Sequence, residues 1–414
     1  WVIDMFKRST LIFAFCAFIQ TVVYAQISIS GLANFELRQA GEDSSPYVNQ
    51  TPGENLSIYT PNLRLFISGN ISDQWFINSA LQADYYDGEE LSDPFFSLLN
   101  INWTPDLNSN LLVTAGRFIT PYGSYSNKFI SSENPFVHLP MSHSSGLPVS
   151  ATFGHLGDGI SNPEDISRLY GEDEKGTTMV YSRMYSQGIR FSYAFGESKW
   201  LEINAAATLA PVSTHLDYGQ YSSPAKVARI TLQPVIWAKL GLSVSNGTFL
   251  QENAANDSLL IYDITSYKQK SKGADLTLNY RYYTLMLEWN NSFWKAPFYD
   301  PQTSDSDSPQ TGLAETDHYS AEFVYDLPFL VGAYIASRYE HISNGEIEIY
   351  EKDNSDNRIN QIFRDWTYSR TRIEFVTGYK LQRNITLKGS YLISDDDGPK
   401  LDDNVISIQL SVLF

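Results

Sequence analysis

The chain has 414 residues, of which 43% are hydrophobic and 14% aromatic, and it contains 47 acidic but only 29 basic residues. The net charge of −18 excludes nucleic acid as a partner, because a phosphate backbone attracts basic surfaces. The single cysteine, Cys16, lies in an apolar stretch near the N-terminus, so the remaining chain offers no thiol, disulfide or cysteine-based metal site.

The N-terminal residues have the layout of a secretory signal peptide. Two basic residues precede an apolar stretch over residues 11–23, and a small-residue cleavage site ends at Ala25. We expect translation to start at Met5 and residues 1–25 to comprise upstream residues plus the signal peptide. A single spanning helix is the alternative, but two polar residues interrupt the stretch, and it falls short of the roughly 18 to 20 apolar residues that a span needs. Residues 26–414 are then expected to form one exported unit.

After the signal, apolar and polar side chains alternate in segments of about 8 to 12 residues, the period that predicts amphipathic β-strands. In the first segment, Ile27, Ile29, Phe35 and Leu37 share one face, and small polar or charged residues occupy the other. Helical periodicity is absent. The pattern predicts an all-β protein.

Short and long connections alternate between these segments. The short ones are "SGNISDQ", "TPDLNSN", "GESK", "PVIWA", "RYY", "DLPFL" and "KLQRN". The long polar ones fall at roughly 39–56, 87–94, 119–187, 210–225, 247–272, 293–317, 341–370 and 393–403. Seven short turns and eight long loops join sixteen strands, and an even strand number returns both termini to the same side.

Three features favour a transmembrane antiparallel β-barrel of about 16 strands, with long extracellular loops and short periplasmic turns, over a soluble β-sandwich. A sandwich has no reason to sort its loops by length onto two ends. Tryptophans mark the short-turn ends, as an aromatic girdle at a lipid interface would: Trp75, Trp103, Trp200 and Trp237. The polar rows also contain many charges, which a dry core would not tolerate but a water-filled lumen would.

These inward charges are the predicted pore lining. They are Arg38, Arg64, Arg190, Glu202, Arg229, Asp275, Glu288, Glu322, Arg338, Glu340, Arg372, Glu374 and Lys388. Both signs are present, so we expect no strong rejection of anions or cations.

The last segment alternates Ile406, Ile408, Leu410 and Val412 with polar residues and ends on Phe414. In a closed barrel its apolar row faces lipid and its backbone pairs with the first strand, which leaves no open edge. The terminal phenylalanine resembles the C-terminal signal by which the outer-membrane barrel assembly machinery recognises its substrates.

The stretch "AGRFITPYGSYSNKFISSENPF" resembles the porin O/P group and related sixteen-stranded porins of Gram-negative bacteria. The matching positions are Gly116, Arg117, Phe118, Thr120, Pro121, Tyr122 and Gly123. The resemblance implies that the loop at about 119–187 folds into the barrel and narrows it.

The predicted constriction residues are Arg117, Pro121, Tyr122, Gly123 and Lys128. Pro and Gly would turn the chain off the barrel wall. Arg117 shares a row with apolar residues, so an inward Arg117 needs a bulge or a position above the lipid belt. The alternative is a basic side chain at the outer interface.

The sequence therefore predicts an outer-membrane porin that passes small hydrophilic solutes or ions, without cofactor or metal. Its expected partners are outer-membrane lipid, lipopolysaccharide and the barrel assembly machinery, and a homotrimer is left open. Phosphate selectivity is not expected, because the lining is mixed. The alternative is a non-conducting barrel that acts as a surface adhesin or an assembly component.

Catalysis is not expected, because none of the six histidines belongs to a recognisable serine, histidine and acid constellation. The acidic stretch "DDDGPKLDD" at 395–403 is interpreted as a solvated hairpin tip whose charge repulsion is screened by divalent cations shared with lipopolysaccharide. The alternative is a cation site formed by its carboxylates.

Overall fold

The computed structural model describes residues 27–44, 51, 56–85, 92–106, 108–128, 130–149, 177–196, 198–214, 223–250, 264–298, 310–352, 358–398 and 400–414. The expected signal peptide lies outside these residues. Among the described residues, no helix has both the length and the apolar character that a membrane crossing requires.

The described residues form eighteen antiparallel β-strands. They are β1 Ile27–Ala40, β2 Leu56–Asn70, β3 Trp75–Tyr85, β4 Phe95–Trp103, β5 Leu111–Ile119, β6 Tyr185–Phe195, β7 Leu201–Thr208, β8 Ala225–Val235, β9 Ala238–Thr248, β10 Lys268–Tyr280, β11 Tyr283–Phe298, β12 Gln310–Asp326, β13 Ala333–Asn344, β14 Glu346–Lys352, β15 Arg358–Asp365, β16 Arg370–Gln382, β17 Ile385–Asp396 and β18 Val405–Leu413. Helical structure is limited there to 3-10 turns at Tyr125–Asn127 and Ile264–Ser266 and a short α-helix at Met141–Ser144.

Sixteen of these strands close into one barrel, as predicted. Each pairs with its neighbours, β13 continues the wall directly to β16, and β18 pairs with β1. The remaining two, β14 and β15, form a hairpin that pairs with the outer end of β12.

Two of the predicted loops include residues that the structure assigns to strands. Strands β11 and β12 remain paired as far as Phe298 and Gln310, so the connection predicted at 293–317 is shorter. The segment at 341–370 contains the β14–β15 hairpin. Beyond the apolar belt a strand meets polar surroundings on both faces, so the alternation that predicts strands is lost there.

The seven predicted short turns all lie at one end of the barrel, and tryptophans mark that end. The rings of Trp75 and Trp103 are 6.3 Å apart. Trp200 and Trp237 are 47% and 48% exposed. Above this girdle the outside of the barrel is apolar: Phe35, Val244 and similar outward side chains are more than half exposed. This surface suits a lipid environment.

Closure of the barrel places the terminal phenylalanine against a glycine. The backbone N–H of Phe414 donates to the carbonyl oxygen of Gly31 at 2.8 Å. The N–H of Gly31 donates in turn to the carbonyl oxygen of Phe414 at 2.5 Å. The ring of Phe414 covers Gly31 so closely that a Cβ at position 31 would overlap it. Glycine at this position therefore allows the last residue to dock.

Replacing Gly31 by alanine should lower the yield of folded barrel, because the new methyl group displaces the Phe414 ring from the closing seam. Gly69→Ala is the matched control, since a Cβ there meets Ile27 at an ordinary 3.8 Å. Heat-modifiable migration on gels measures the folded fraction. Deleting Phe414 should reproduce the defect, and equal yields for the Gly31 and Gly69 variants would contradict this account.

Candidate constriction site

The segment between β5 and β6, residues 120–184, is the inner loop; its described parts are 120–128, 130–149 and 177–184. It leaves the wall at Thr120 and Pro121. Gly123 adopts a φ of 63°, which favours glycine. Its N–H donates to the hydroxyl oxygen of Ser243 on β9 at 3.1 Å. The chain thus turns into the lumen at Pro121 and Gly123, the residues that predict a turn here.

The first part of the inner loop binds to carboxylates of the barrel wall. The N–H of Ser124 donates to Glu288 Oε2 on β11 at 2.9 Å. Lys128 Nζ forms an ion pair with Glu322 Oε2 on β12 at 2.9 Å. Ser131 Oγ then reaches Asn34 Oδ1 on β1 at 2.5 Å. The loop therefore follows the inside of the wall from β9 to β1.

Glu374 on β16 anchors the returning part of the loop. Its Oε1 accepts the N–H groups of Val137 and His138, both at 3.2 Å. His138 Nδ1 lies 3.0 Å from the same oxygen, and Ser390 Oγ donates to it at 2.8 Å. Several donors thus converge on one buried carboxylate, the arrangement that stabilises a charge away from water.

Two arginines complete this anchor. Arg338 Nη2 donates to Glu374 Oε2 at 2.6 Å and to the carbonyl oxygen of His138 at 2.8 Å. Arg372 Nη2 donates to Glu340 Oε2 at 2.8 Å and to a loop carbonyl oxygen, that of Leu139, at 2.5 Å. Wall charges of both signs therefore hold the loop backbone.

The third basic group is Lys388 on β17. Its Nζ donates to the carbonyl oxygens of Ser131 at 2.6 Å and Phe136 at 3.3 Å, and to Gln409 Oε1 at 2.7 Å. Lys388 is only 1% exposed. The sequence attributed such charges to a water-filled lumen. That reason is wrong for the charges beneath the loop, because loop backbone and opposite charges satisfy them: Arg338, Glu340, Arg372, Glu374 and Lys388.

Two loop histidines are part of this packing, and burial favours the neutral form of each. Burial lowers the pKa of His138, although the nearby Glu374 carboxylate acts in the opposite direction. A neutral His138 donates from Nδ1 to Glu374 and accepts at Nε2 from Ser407 Oγ at 3.1 Å. Burial likewise lowers the pKa of His143 to about 4. Its Nδ1 lies 2.9 Å from Ser142 Oγ, but both residues are buried.

The outer half of the inner loop is held by an apolar cluster. Leu147 and Val149 are about 1% exposed and belong to the same buried cluster as Phe249, Trp294 and Trp366. The rings of Phe249 and Trp294 meet edge to face, with centroids 5.3 Å apart. This cluster joins several outer segments, and its members are scattered through the sequence with no periodic signal.

Between the inner loop and the wall of β1–β3 lies a cavity of about 120 Å³, the constriction cavity. Four basic and two acidic side chains line it: Glu36, Arg38, Arg64, Asp84, Lys128 and Arg183. Arg38 Nε donates to Glu36 Oε2 at 2.9 Å, and Arg183 lies 3.3 Å from Asp84. The sequence predicted Arg38, Arg64 and Lys128 as inward residues. The sequence does not predict Arg183, because this residue lies in the inner loop just before β6, where the alternation of a strand does not apply.

A larger cavity of about 360 Å³ follows the wall of β2–β6 and contains Arg190. Arg190 Nη2 donates to Thr114 Oγ1 at 3.3 Å. Glu202 is exposed near the short-turn end of β7 and accepts from Asn204 at 2.8 Å. Arg229 and Asp275 form a two-pronged ion pair, with N to O distances of 2.6 and 2.9 Å.

Arg117 does not face the lumen, which corrects its expected place in the constriction. It pairs directly with Leu99, and directly paired residues point to the same side of a sheet. Leu99 is 47% exposed on the outside of the barrel. Arg117 Nη1 donates to the carbonyl oxygen of Phe96 at 2.7 Å, and its guanidinium lies 4.9 Å from the Tyr185 ring centroid. The alternative position at the outer surface is the one observed.

Tyr122 of the predicted set is fully buried beside β10. Its hydroxyl lies next to Gly273, at 3.3 Å from where a Cβ would stand. It packs in the apolar cluster with Phe118. Tyr122 therefore supports the base of the loop and does not line the constriction cavity.

No protein-family model and no curated protein sequence matches the chain. Solved structures do. The anion-selective porin from Comamonas acidovorans has a TM-score of 0.58 at 9% identity, covering 94% of this chain and 100% of its own. The outer membrane channel DcaP of Acinetobacter baumannii has a TM-score of 0.54 at 12% identity, with 94% and 97% covered. The trimer form of OmpT, an outer membrane protein of Vibrio cholerae, has a TM-score of 0.53 at 9% identity, with 95% and 100% covered. The chain therefore has the sixteen-stranded barrel fold of outer-membrane porins.

Proposed function

We propose that the protein is a bacterial outer-membrane porin, through which small hydrophilic solutes or ions diffuse passively past the inner loop. The observation that supports this best is the constriction cavity, where charged side chains of β1–β3 face the inner loop inside a closed barrel. Charged linings of this kind govern which solutes pass a pore.

The outside of the barrel supports the location. Outward side chains of successive strands form an apolar belt above the tryptophan girdle, and such a surface is stable only against lipid. The similar proteins named above include one described as a channel and one described as an anion-selective porin.

The charges of the constriction cavity favour a weak preference for anions. Basic side chains outnumber acidic ones there, and two of the basic residues, Arg38 and Arg64, lie on the wall. Both Glu36 and Asp84 contact an arginine, so the acidic field is partly offset. A short constriction concentrates the potential that a permeating ion experiences.

Replacing Arg38 and Arg64 together by glutamine should shift the reversal potential in a salt gradient towards cation preference, because Glu36 and Asp84 would dominate the cavity. Planar-bilayer recordings measure this shift. Arg117→Gln removes an arginine on the outer surface and should leave the reversal potential unchanged. A shift in the Arg117 variant alone would overturn the assignment of the cavity.

The resemblance of residues 116–123 to the porin O/P group agrees with an inner loop that leaves the wall at Pro121 and Gly123. Membership of that group is part of the proposal, as is a homotrimer, which the trimer form of the similar OmpT supports. Native mass spectrometry of the purified protein tests the assembly. Consistently silent bilayers with folded protein would favour the adhesin or assembly alternative.

A further inference from the structure

Four lysines form a basic patch on the outside of the barrel, at the long-loop end. These residues, the outer lysine patch, are Lys226 on β8 and Lys268, Lys270 and Lys272 on β10; all four are exposed. The chain as a whole is acidic, with a net charge of −18. Such a concentration of positive charge therefore requires a specific explanation.

The sheet register brings these lysines together. Lys226 pairs with Asn246 of β9, and Asn246 pairs with Lys270 of β10. Adjacent strands are about 4.8 Å apart, so Lys226 and Lys270 start roughly 10 Å from each other. The three lysines of β10 occupy successive outward positions, roughly 7 Å apart along the strand. A patch of this size can reach more than one anionic group of the same molecule.

The patch lies at the outer boundary of the apolar belt. On the same face, Val244 and Leu242 of β9 are 55% and 49% exposed, and Val244 pairs with Lys272. Lys272 Nζ lies 5.5 Å from the ring centroid of Trp289, an aromatic residue of the kind that marks lipid interfaces. The ammonium groups are therefore at the level of lipid headgroups.

Two acidic side chains on the same outer face, Glu315 and Asp317, have partners in the protein, and Glu315 Oε1 accepts from Asn291 Nδ2 at 2.7 Å. On β12, Asp317 Oδ1 accepts from Trp289 Nε1 at 3.0 Å and from Asn291 Nδ2 at 3.1 Å. In the described part of the chain, no hydrogen bond or ion pair involves Lys226, Lys268 or Lys270. Their charges are available to a ligand outside the protein.

We propose that the outer lysine patch binds the phosphate groups of phosphorylated glycolipid in the outer leaflet, the chemistry of lipid A in lipopolysaccharide. The inference rests on the proposed outer-membrane location but not on conduction. Ammonium groups bind phosphate as point charges, and their position above the apolar belt lets the acyl chains pack on Val244 and Leu242. The patch thereby fixes the depth and orientation of one side of the barrel.

The test uses the full-length barrel, reconstituted in vesicles of phosphatidylethanolamine with diphosphoryl lipid A, with monophosphoryl lipid A, or with neither. The triple variant Lys226→Gln, Lys268→Gln, Lys270→Gln should bind diphosphoryl lipid A at least about tenfold more weakly than the parent. The matched control replaces Lys199, Lys239 and Lys380, which lie at the short-turn end, by glutamine and should bind like the parent.

Three results would overturn the proposal: parental affinity in the patch variant, equal loss in the control variant, or displacement of lipid A by millimolar inorganic phosphate, which would indicate a site for the free ion. Heat-modifiable migration of each variant verifies folding. Conductance is recorded separately, so a silent channel with intact lipid A binding would reject the porin function and leave this inference standing.

Discussion

Replacing residues 130–145 of the inner loop by a flexible Gly–Ser linker of about eight residues should raise the single-channel conductance several-fold. The replaced segment contacts Glu374, Glu340 and Lys388 on the wall and lines the constriction cavity beside β1–β3. Its removal widens the path, while the barrel keeps its own backbone pairing. The linker has a root-mean-square end-to-end distance of roughly 16 Å and no side chains that bind the wall.

The control for this change replaces residues 215–222, in the loop between β7 and β8, by the same linker. Conductance should then remain at the parental value, because the described groups that line the constriction cavity and bind the wall beneath it lie in other segments of the chain. Planar bilayers provide the measurement. If the inner-loop replacement conducts like the parent, the loop does not limit the path, and the constriction lies elsewhere.

The barrel could be predicted from the sequence because its signals are local. Alternation of Ile406, Ile408 and Leu410 with polar residues assigns each side chain to one face without knowledge of its neighbours. The same signal does not predict the hairpin of β14 and β15, because this hairpin lies above the apolar belt, where neither face must be apolar. Strand parity assigns Arg338 and Glu374 to the inner face, where both contact the inner loop.

The contacts of the inner loop could not be predicted in the same way. Arg338 and the carbonyl oxygen of His138 are 200 positions apart in the chain, and no periodic pattern connects them. Strand parity alone leaves water as the partner of these charges, because it carries no information on the path of the loop. Arg117 shows the converse: its parity correctly indicated the outer surface, whereas a short motif suggested the lumen.

Glu374→Ala should detach the returning part of the inner loop and give a noisier channel of higher conductance. The change removes the acceptor of the N–H groups of Val137 and His138 and takes one carboxylate from the fully buried Arg338. Arg338 keeps the carboxylates of Glu340 and Glu322, so the cost should stay below the about 3 to 5 kcal/mol of a buried charge left without any partner. The destabilisation should affect the contacts between the inner loop and the wall, because the barrel strands retain their own hydrogen bonds.

A double-mutant cycle with Arg338→Met separates this pair from a general loss of stability. The double variant should be less destabilised than the sum of the two single variants, since each single change removes the same ion pair, which the double variant loses only once. Urea unfolding followed by tryptophan fluorescence provides the free energies, and Glu202→Ala, an exposed glutamate at the short-turn end, should change stability by no more than about 0.5 kcal/mol. Strict additivity of the two single changes, together with parental open-channel noise in Glu374→Ala, would show that this ion pair does not hold the loop.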